Sequence, residues 1–157
     1  MAESELVGMD IKRAFIKNQG VFSQLKDEEI DVLASLLAQK HFAPEDTIVT
    51  EGEHVDSVYF IVKGKADVRH VSVQNGALHI ESVATLGEGA AIGLNETGFY
   101  SVSGVRTATV TAITPLVALR LSVAAFHGFA LSNSHVSDVM RKNASKILGF
   151  SSNTDES

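Results

Sequence analysis

Residues 57–86 read SVYFIVKGKADVRHVSVQNGALHIESVATL. Val, Ile, Tyr and Thr dominate three runs here, SVYFIVK, ADVRHVSVQ and LHIESVATL, which are cut by Gly64 and by Asn75-Gly76. Short β-branched and aromatic runs between turn residues read as strands. Asn-Gly between two of them predicts a two-residue hairpin, because both positions accept positive φ. The apolar phase shifts between Val68 and the pair Val71 and Val73, which predicts a bulge. The same grammar extends outward to TIVTE (47–51), RTATVTAI (106–113) and LVALRLS (116–122), with breaks at Pro44-Glu45-Asp46, Gly52-Glu53, Gly87-Glu88-Gly89 and Thr114-Pro115. Breaks about every 10 residues are the pattern of a small antiparallel barrel or sandwich.

Helical periodicity flanks this block. Residues 9–19 place Met9, Ile11, Ala14 and Phe15 on one face, and Asp27 is a candidate cap for a helix through about Gln39 that buries Ile30, Leu33, Leu36 and Leu37. Ser122 is positioned to cap a short helix carrying Val123, Phe126 and Phe129. A longer helix from about Ser134 to Leu148 aligns Val136, Val139, Met140, Ala144 and Ile147. The expected organisation is an N-terminal helix over residues 1–20, one domain over 21–149 whose C-terminal helices span about 122–148, and a disordered tail over 150–157.

With 157 residues, 45% apolar and 20% charged, the chain has the size and composition of one globular domain. There is no cysteine, so disulfides and thiolate chemistry are excluded. Thirteen basic against nineteen acidic residues give a net charge of −6, with the positive charges scattered. Direct nucleic-acid binding, which needs a basic face, is not expected. MAESELVGMD is not a signal peptide, and no apolar run reaches membrane-span length, so the expectation is a cytoplasmic protein with no membrane insertion.

In such an acidic chain the residue that draws attention is Arg106, in GVRTATVTA after the glycine-punctuated loop LGEGAAIGLNETGFYSVSG. A guanidinium presents a fixed fork of donors that matches two phosphate oxygens. Thr107 adds a hydroxyl and Ala108 a small side chain that lets backbone N–H groups approach an anion. Strands before this segment and helices after it suggest a small anionic ligand gripped in a β-roll and covered by a helix. That arrangement reads as a sensor rather than a catalyst. Histidines 41, 54, 70, 79, 127 and 135 lack metal-ligand spacing, and His70 and His79 across the Asn75-Gly76 turn read as a surface ladder ahead of a metal site; Ser101 and Ser103 lack the nucleophile-elbow pattern. Gly87-x-Gly89-x-x-x-Gly93 resembles a dinucleotide turn but opens no helix.

In order and spacing, VFSQLKDEEIDVLASLLAQKHFAPEDTIVTEGEHVDSVYFIVKGKADV, VATLGEGAAIG, RTATVTA and LRLSVAAFHGF resemble the cyclic nucleotide-binding domain family, over roughly Phe22 to Leu148. The resemblance implies a mainly β fold with flanking helices: an antiparallel, jelly-roll-like β-roll (a double-stranded β-helix) with N-terminal helices and a C-terminal lid helix. It implies that Arg106 pairs with a cyclic phosphate, that Thr107 donates beside it and that Ala108 completes the motif. The family's Gly-Glu pair has two candidate matches here. Asn95-Glu96 can stand for it, with Glu96 on the ribose hydroxyl and the N–H groups of Thr97 and Gly98 on the phosphate. Alternatively Gly93 keeps the glycine position, the glutamate is given up and the loop is longer.

The implied function is a cyclic nucleotide sensor or regulatory domain, for cAMP ahead of cGMP, that relays binding through movement of the C-terminal helix. It needs no cofactor beyond that ligand and is not an enzyme. Its further partners would be a second copy, through the last helix if Val136 or Met140 is exposed rather than used up against the barrel, or an effector domain or protein. The alternative is a degenerate domain of the same fold that binds no nucleotide and serves in protein–protein interaction or assembly.

Overall fold

The computed structural model describes residues 7–19, 22–93 and 105–139. Helices α1 (Met9–Lys17) and α2 (Asp27–Ser35) lead into eight strands: β1 (Ala38–Phe42), β2 (Thr47–Val49), β3 (Ser57–Lys63), β4 (Ala66–Gln74), β5 (Ala77–Leu86), β6 (Ala91–Ile92), β7 (Thr109–Ala112) and β8 (Leu116–Ser122). Helix α3 (Val123–Leu131) follows, and residues 134–139 are again helical. The strands form two antiparallel four-stranded sheets, ordered β1-β8-β3-β6 and β2-β7-β4-β5. This is the antiparallel roll with flanking helices that the family resemblance implies.

Two cores share the first sheet. On its outer side Val58, Phe60, Leu119 and Leu121 pack with Ile16, Phe22, Leu33, Phe126 and Val136 from the helices. On its inner side Ile61, Leu116 and Ala118 meet Ile48, Val49, Ala66, Ile92, Val110 and Ala112. The two-residue period of β3 and β8 sends alternate side chains to the two cores, so both strands read as nearly unbroken apolar runs. Phe22 and Phe126 lie 5.9 Å apart between ring centroids, and Phe15 and Phe60 lie 6.2 Å apart, tying the helices to the roll.

The hairpin and the bulge are where the sequence places them. Asn75 and Gly76 take φ of 54° and 77°, and the β4–β5 register shifts between Val68 and Arg69. Ser122 caps α3, its hydroxyl accepting from the Ala125 N–H at 3.2 Å. Other expectations are corrected. α1 buries Ile16 and half-buries Phe15, whereas Ile11 is 45% exposed and Met9 37%. Lys26 rather than Asp27 is the N-cap of α2, its N–H held by Glu29 Oε1 at 2.7 Å. That helix stops at Ser35 because the chain must straighten to pair Ala38 with Arg120 in β8. Neither β1 nor the two-residue β6 is marked by local sequence. Val136 is fully buried against the chain's own core and is not available to a second copy. Met140 and residues 141–148, and the tail, lie outside the described residues.

Candidate functional site

Arg106 is held first by its backbone. Its N–H donates to the Glu53 carbonyl at 2.7 Å and its carbonyl accepts from the Gly52 N–H at 2.9 Å. Val105 bridges His54 just before it, and the Thr109 hydroxyl accepts from the Glu51 N–H at 2.9 Å just after. The turn at Glu51-Gly52-Glu53 therefore clamps the approach to β7, and the strand predicted to begin at Arg106 begins at Thr109.

The clamp turns the guanidinium inward, leaving Arg106 only 7% exposed. Nη2 donates to the Ser57 carbonyl at 2.8 Å and lies 3.7 Å from Asp56 Oδ1. Asp56, whose side chain is largely exposed, also lies 3.7 Å from Arg120 Nη2. Nη1 is buried and has no hydrogen-bond partner among the described residues. Loss of hydration pushes the Arg106 pKa below its ordinary value, with Asp56 opposing the shift. The side chain is thus a desolvated cation with donor capacity left over.

Gly93 is the other half of this arrangement. Its φ is +88°, and a Cβ on it would lie 2.5 Å from Arg106 Nη1 and 3.2 Å from the Ser57 carbonyl. Only glycine fits there with the guanidinium in place. Gly93, Arg106, Thr107 and Ala108 edge a cavity of about 170 Å³ whose wall is otherwise aliphatic: Val49, Val55, Val68, Ile92, Val105 and Val110. On the other side of Arg106 is a more polar recess of about 420 Å³ that includes Glu53, His54 and Asp56. A buried cation beside an apolar hollow can accept an anion whose body is apolar or aromatic.

Four of the seven residues singled out from sequence therefore converge: Gly93, Arg106, Thr107 and Ala108. Glu96, Thr97 and Gly98 lie outside the described residues, as does the choice between Asn95-Glu96 and Gly93 as the family's Gly-Glu match. Sequence reasoning missed Asp56 and the Ser57 carbonyl, which orient the guanidinium, and the valine wall from β2, β4 and β7. The Glu51-Gly52-Glu53 turn was their one local signal. Elsewhere, His70 stands opposite Glu81 and His79 opposite Ser72, so the two histidines do not face each other. No cluster suited to a metal ion occurs among the described residues, and no helix there is long and apolar enough to cross a membrane.

Residues 39–133 match the model of the cyclic nucleotide-binding domain, and the chain belongs to that family. No protein of curated function matches the sequence. Solved structures with the same fold include the N-terminal domain of a transcriptional regulator from Streptomyces coelicolor A3(2), at 22% identity and a TM-score of 0.71, covering 89% of this chain and 94% of that one. The regulatory domain of Toxoplasma gondii PKA, co-crystallised with cAMP, matches at 16% identity and a TM-score of 0.64, covering 77% of this chain and 44% of that one. A regulatory subunit of a cAMP-independent protein kinase A from Trypanosoma brucei, as a triple mutant bound to cAMP in its A site, matches at 25% and 0.58, covering 90% and 52%. The chain thus spans nearly all of the bacterial domain and about half of the kinase subunits.

Proposed function

We propose that this domain is a sensor for a cyclic nucleotide, with cAMP preferred to cGMP. The cyclic phosphate pairs with Arg106, Thr107 donates beside it, and the base lies against the valine wall. Gly93 and Ala108 keep the backbone close to the anion, and Glu96, Thr97 and Gly98 contribute the ribose and remaining phosphate contacts. The observation that carries this reading is the buried Arg106 guanidinium, which keeps Nη1 without a partner among the described residues at the edge of an apolar cavity. An anion there would restore the electrostatic stabilisation lost with hydration. The preference for cAMP is supported by kinase regulatory relatives bound to cAMP. The Trypanosoma mutant that holds cAMP carries an introduced arginine, the residue type of Arg106 here.

The relay runs through the C-terminal helix. Residues 134–139 pack on the helical core through Val136 and Val139, and His135 Nδ1 lies 2.8 Å from the buried Glu29 of α2. A ligand that prefers one position of this helix shifts it by the difference in binding free energy, typically about 1–3 kcal/mol. The domain has a regulatory and not a catalytic role in this reading, and its effector is a protein or a further domain.

A second reading is favoured by two observations. Nη2 already bonds the Ser57 carbonyl, and about 170 Å³ falls below the roughly 300–1,000 Å³ of ordinary small-molecule sites. Both suit a degenerate domain that binds no nucleotide and acts in assembly. Calorimetric titration with cAMP and with cGMP separates the two. Saturable heat with either nucleotide, tighter for cAMP, is expected; no heat and no melting shift at millimolar concentration of both would leave the assembly reading standing.

A further inference from the structure

Of the strands that end the two sheets, β2 and β6 have three and two residues, and β1 has five, with Lys40 within it and Pro44 just beyond. Short, charged or proline-flanked edges resist pairing with other chains. β5 is different. Among the described residues it is the longest strand, ten residues, it ends its sheet, and it is exposed from Ala77 to Thr85. It contains no Pro, Lys or Arg, and its only formal charge is Glu81.

The hairpin fixes which backbone groups face the open side. A two-residue turn closes on Gln74 and Ala77, a pair that exchanges both of its backbone hydrogen bonds, and bonded and non-bonded pairs then alternate. The Val71 N–H confirms the phase: it points to Glu51 Oε1 at 3.2 Å instead of to its partner Ile80. Ala77, His79 and Glu81 therefore bond β4, while Leu78 and Ile80 present their N–H and C=O groups outward. Their side chains are 67% and 56% exposed and continue with Val71 and Val73 into one aliphatic face. The other face of the hairpin carries His70, Ser72, His79 and Glu81.

We propose that β5 pairs antiparallel with β5 of a second copy of this chain, about a two-fold axis at Ile80, joining two four-stranded sheets into one of eight strands. This register sets Ile80 opposite Ile80 and Leu78 opposite Ser82, so the outward backbone groups of the two strands satisfy each other. It also sets His79 opposite Glu81 twice, in non-bonded pairs where side chains approach most closely. The one acidic residue of the edge thus meets the one basic side chain, and the aliphatic faces of both hairpins become continuous. The bulge at Val68/Arg69 bends the ribbon just beyond Ser82 and limits pairing to the outer half of the strand. A contact confined to one short strand engages fewer than the roughly 20–30 residues a side of a standard interface, so the dimer is expected to be weak.

Sedimentation of the full chain from about 1 μM to about 1 mM, the span over which a weak specific contact dissociates, tests this. The mass is expected to rise from one chain to two. Ile80→Pro removes an outward N–H and none that bonds β4, so it should weaken dimerisation at least tenfold while the melting temperature of the dilute protein holds. Glu81→Lys should weaken it too, and adding His79→Glu should restore it; this charge pair decides the matter if Ile80→Pro does not fold. A chain that remains monomeric throughout, or a dimer indifferent to both Ile80→Pro and Glu81→Lys, overturns the proposal. Ile80, Glu81 and His79 do not line the Arg106 cavity, so nucleotide affinity should be unchanged in these variants and the outcome is independent of the ligand reading.

Discussion

Burying Arg106 strips hydration from a permanent charge, and its surroundings return one bond to the Ser57 carbonyl and a carboxylate at 3.7 Å. Breaking up such a site is cheap when the whole charge goes. We predict that Arg106→Leu leaves the unliganded melting temperature unchanged or raises it. The same variant should weaken nucleotide binding by more than tenfold, since a hydrogen bond to a charged group is worth about 1.5–3 kcal/mol. Paired calorimetry and thermal melts check both halves, and undiminished affinity would show that the phosphate sits elsewhere. Gly93→Ala acts on the same contact from the other side. Its positive φ costs a side chain about 1–3 kcal/mol, and the added Cβ would sit 2.5 Å from Nη1. Denaturant melts should register that loss, and binding should fall along with it.

At the scale of elements, one carboxylate joins two helices. Glu29, 5% exposed, accepts the Lys26 N–H at the start of α2 and faces His135 at the start of the last helical stretch. Burial pushes the Glu29 pKa up, but the Lys26 N–H and His135 outweigh it, and the net displacement is downward. Folding therefore favours the carboxylate. Its contribution is complete above the ordinary glutamate range and is lost as pH falls through the lowered folded value. Glu29→Gln should lower stability at neutral pH and flatten the acid limb of a stability-against-pH curve; an acid limb identical to that of the parent would refute this assignment. The local pattern around Ile30 and Leu33 reveals that α2 exists. It does not reveal where α2 ends, because Ser35 is terminated by the demand of Ala38 for its partner Arg120, more than eighty residues away.

For the molecule as a whole, the ligand should act as a stabiliser. Binding to the folded state alone at about 100 times Kd adds about 2.7 kcal/mol. At about 2–4 °C per kcal/mol for a chain of this size, differential scanning fluorimetry with saturating cAMP should show a rise of about 5–10 °C. The two cores on either side of the β3–β8 pair make this a global readout, since the site residues Ile92 and Val110 belong to the inner core and Val136 and Val139 to the outer one. A melt unmoved by either nucleotide would separate the fold from the proposed ligand.

Local chemistry determines much of this protein. Asn75-Gly76 favours a turn with two positive φ angles, the β-branched runs favour strands, and the order of motifs around Arg106 identifies the family. Whatever depends on partners distant in sequence was settled by tertiary packing. The Ser57 carbonyl and Asp56 aim the guanidinium from some fifty residues away, Glu53 and Gly52 delay β7, and the helical core takes up Val136 where periodicity alone left it available to a second chain. A side chain's type and spacing are written locally, but its direction is set by whatever the fold brings against it.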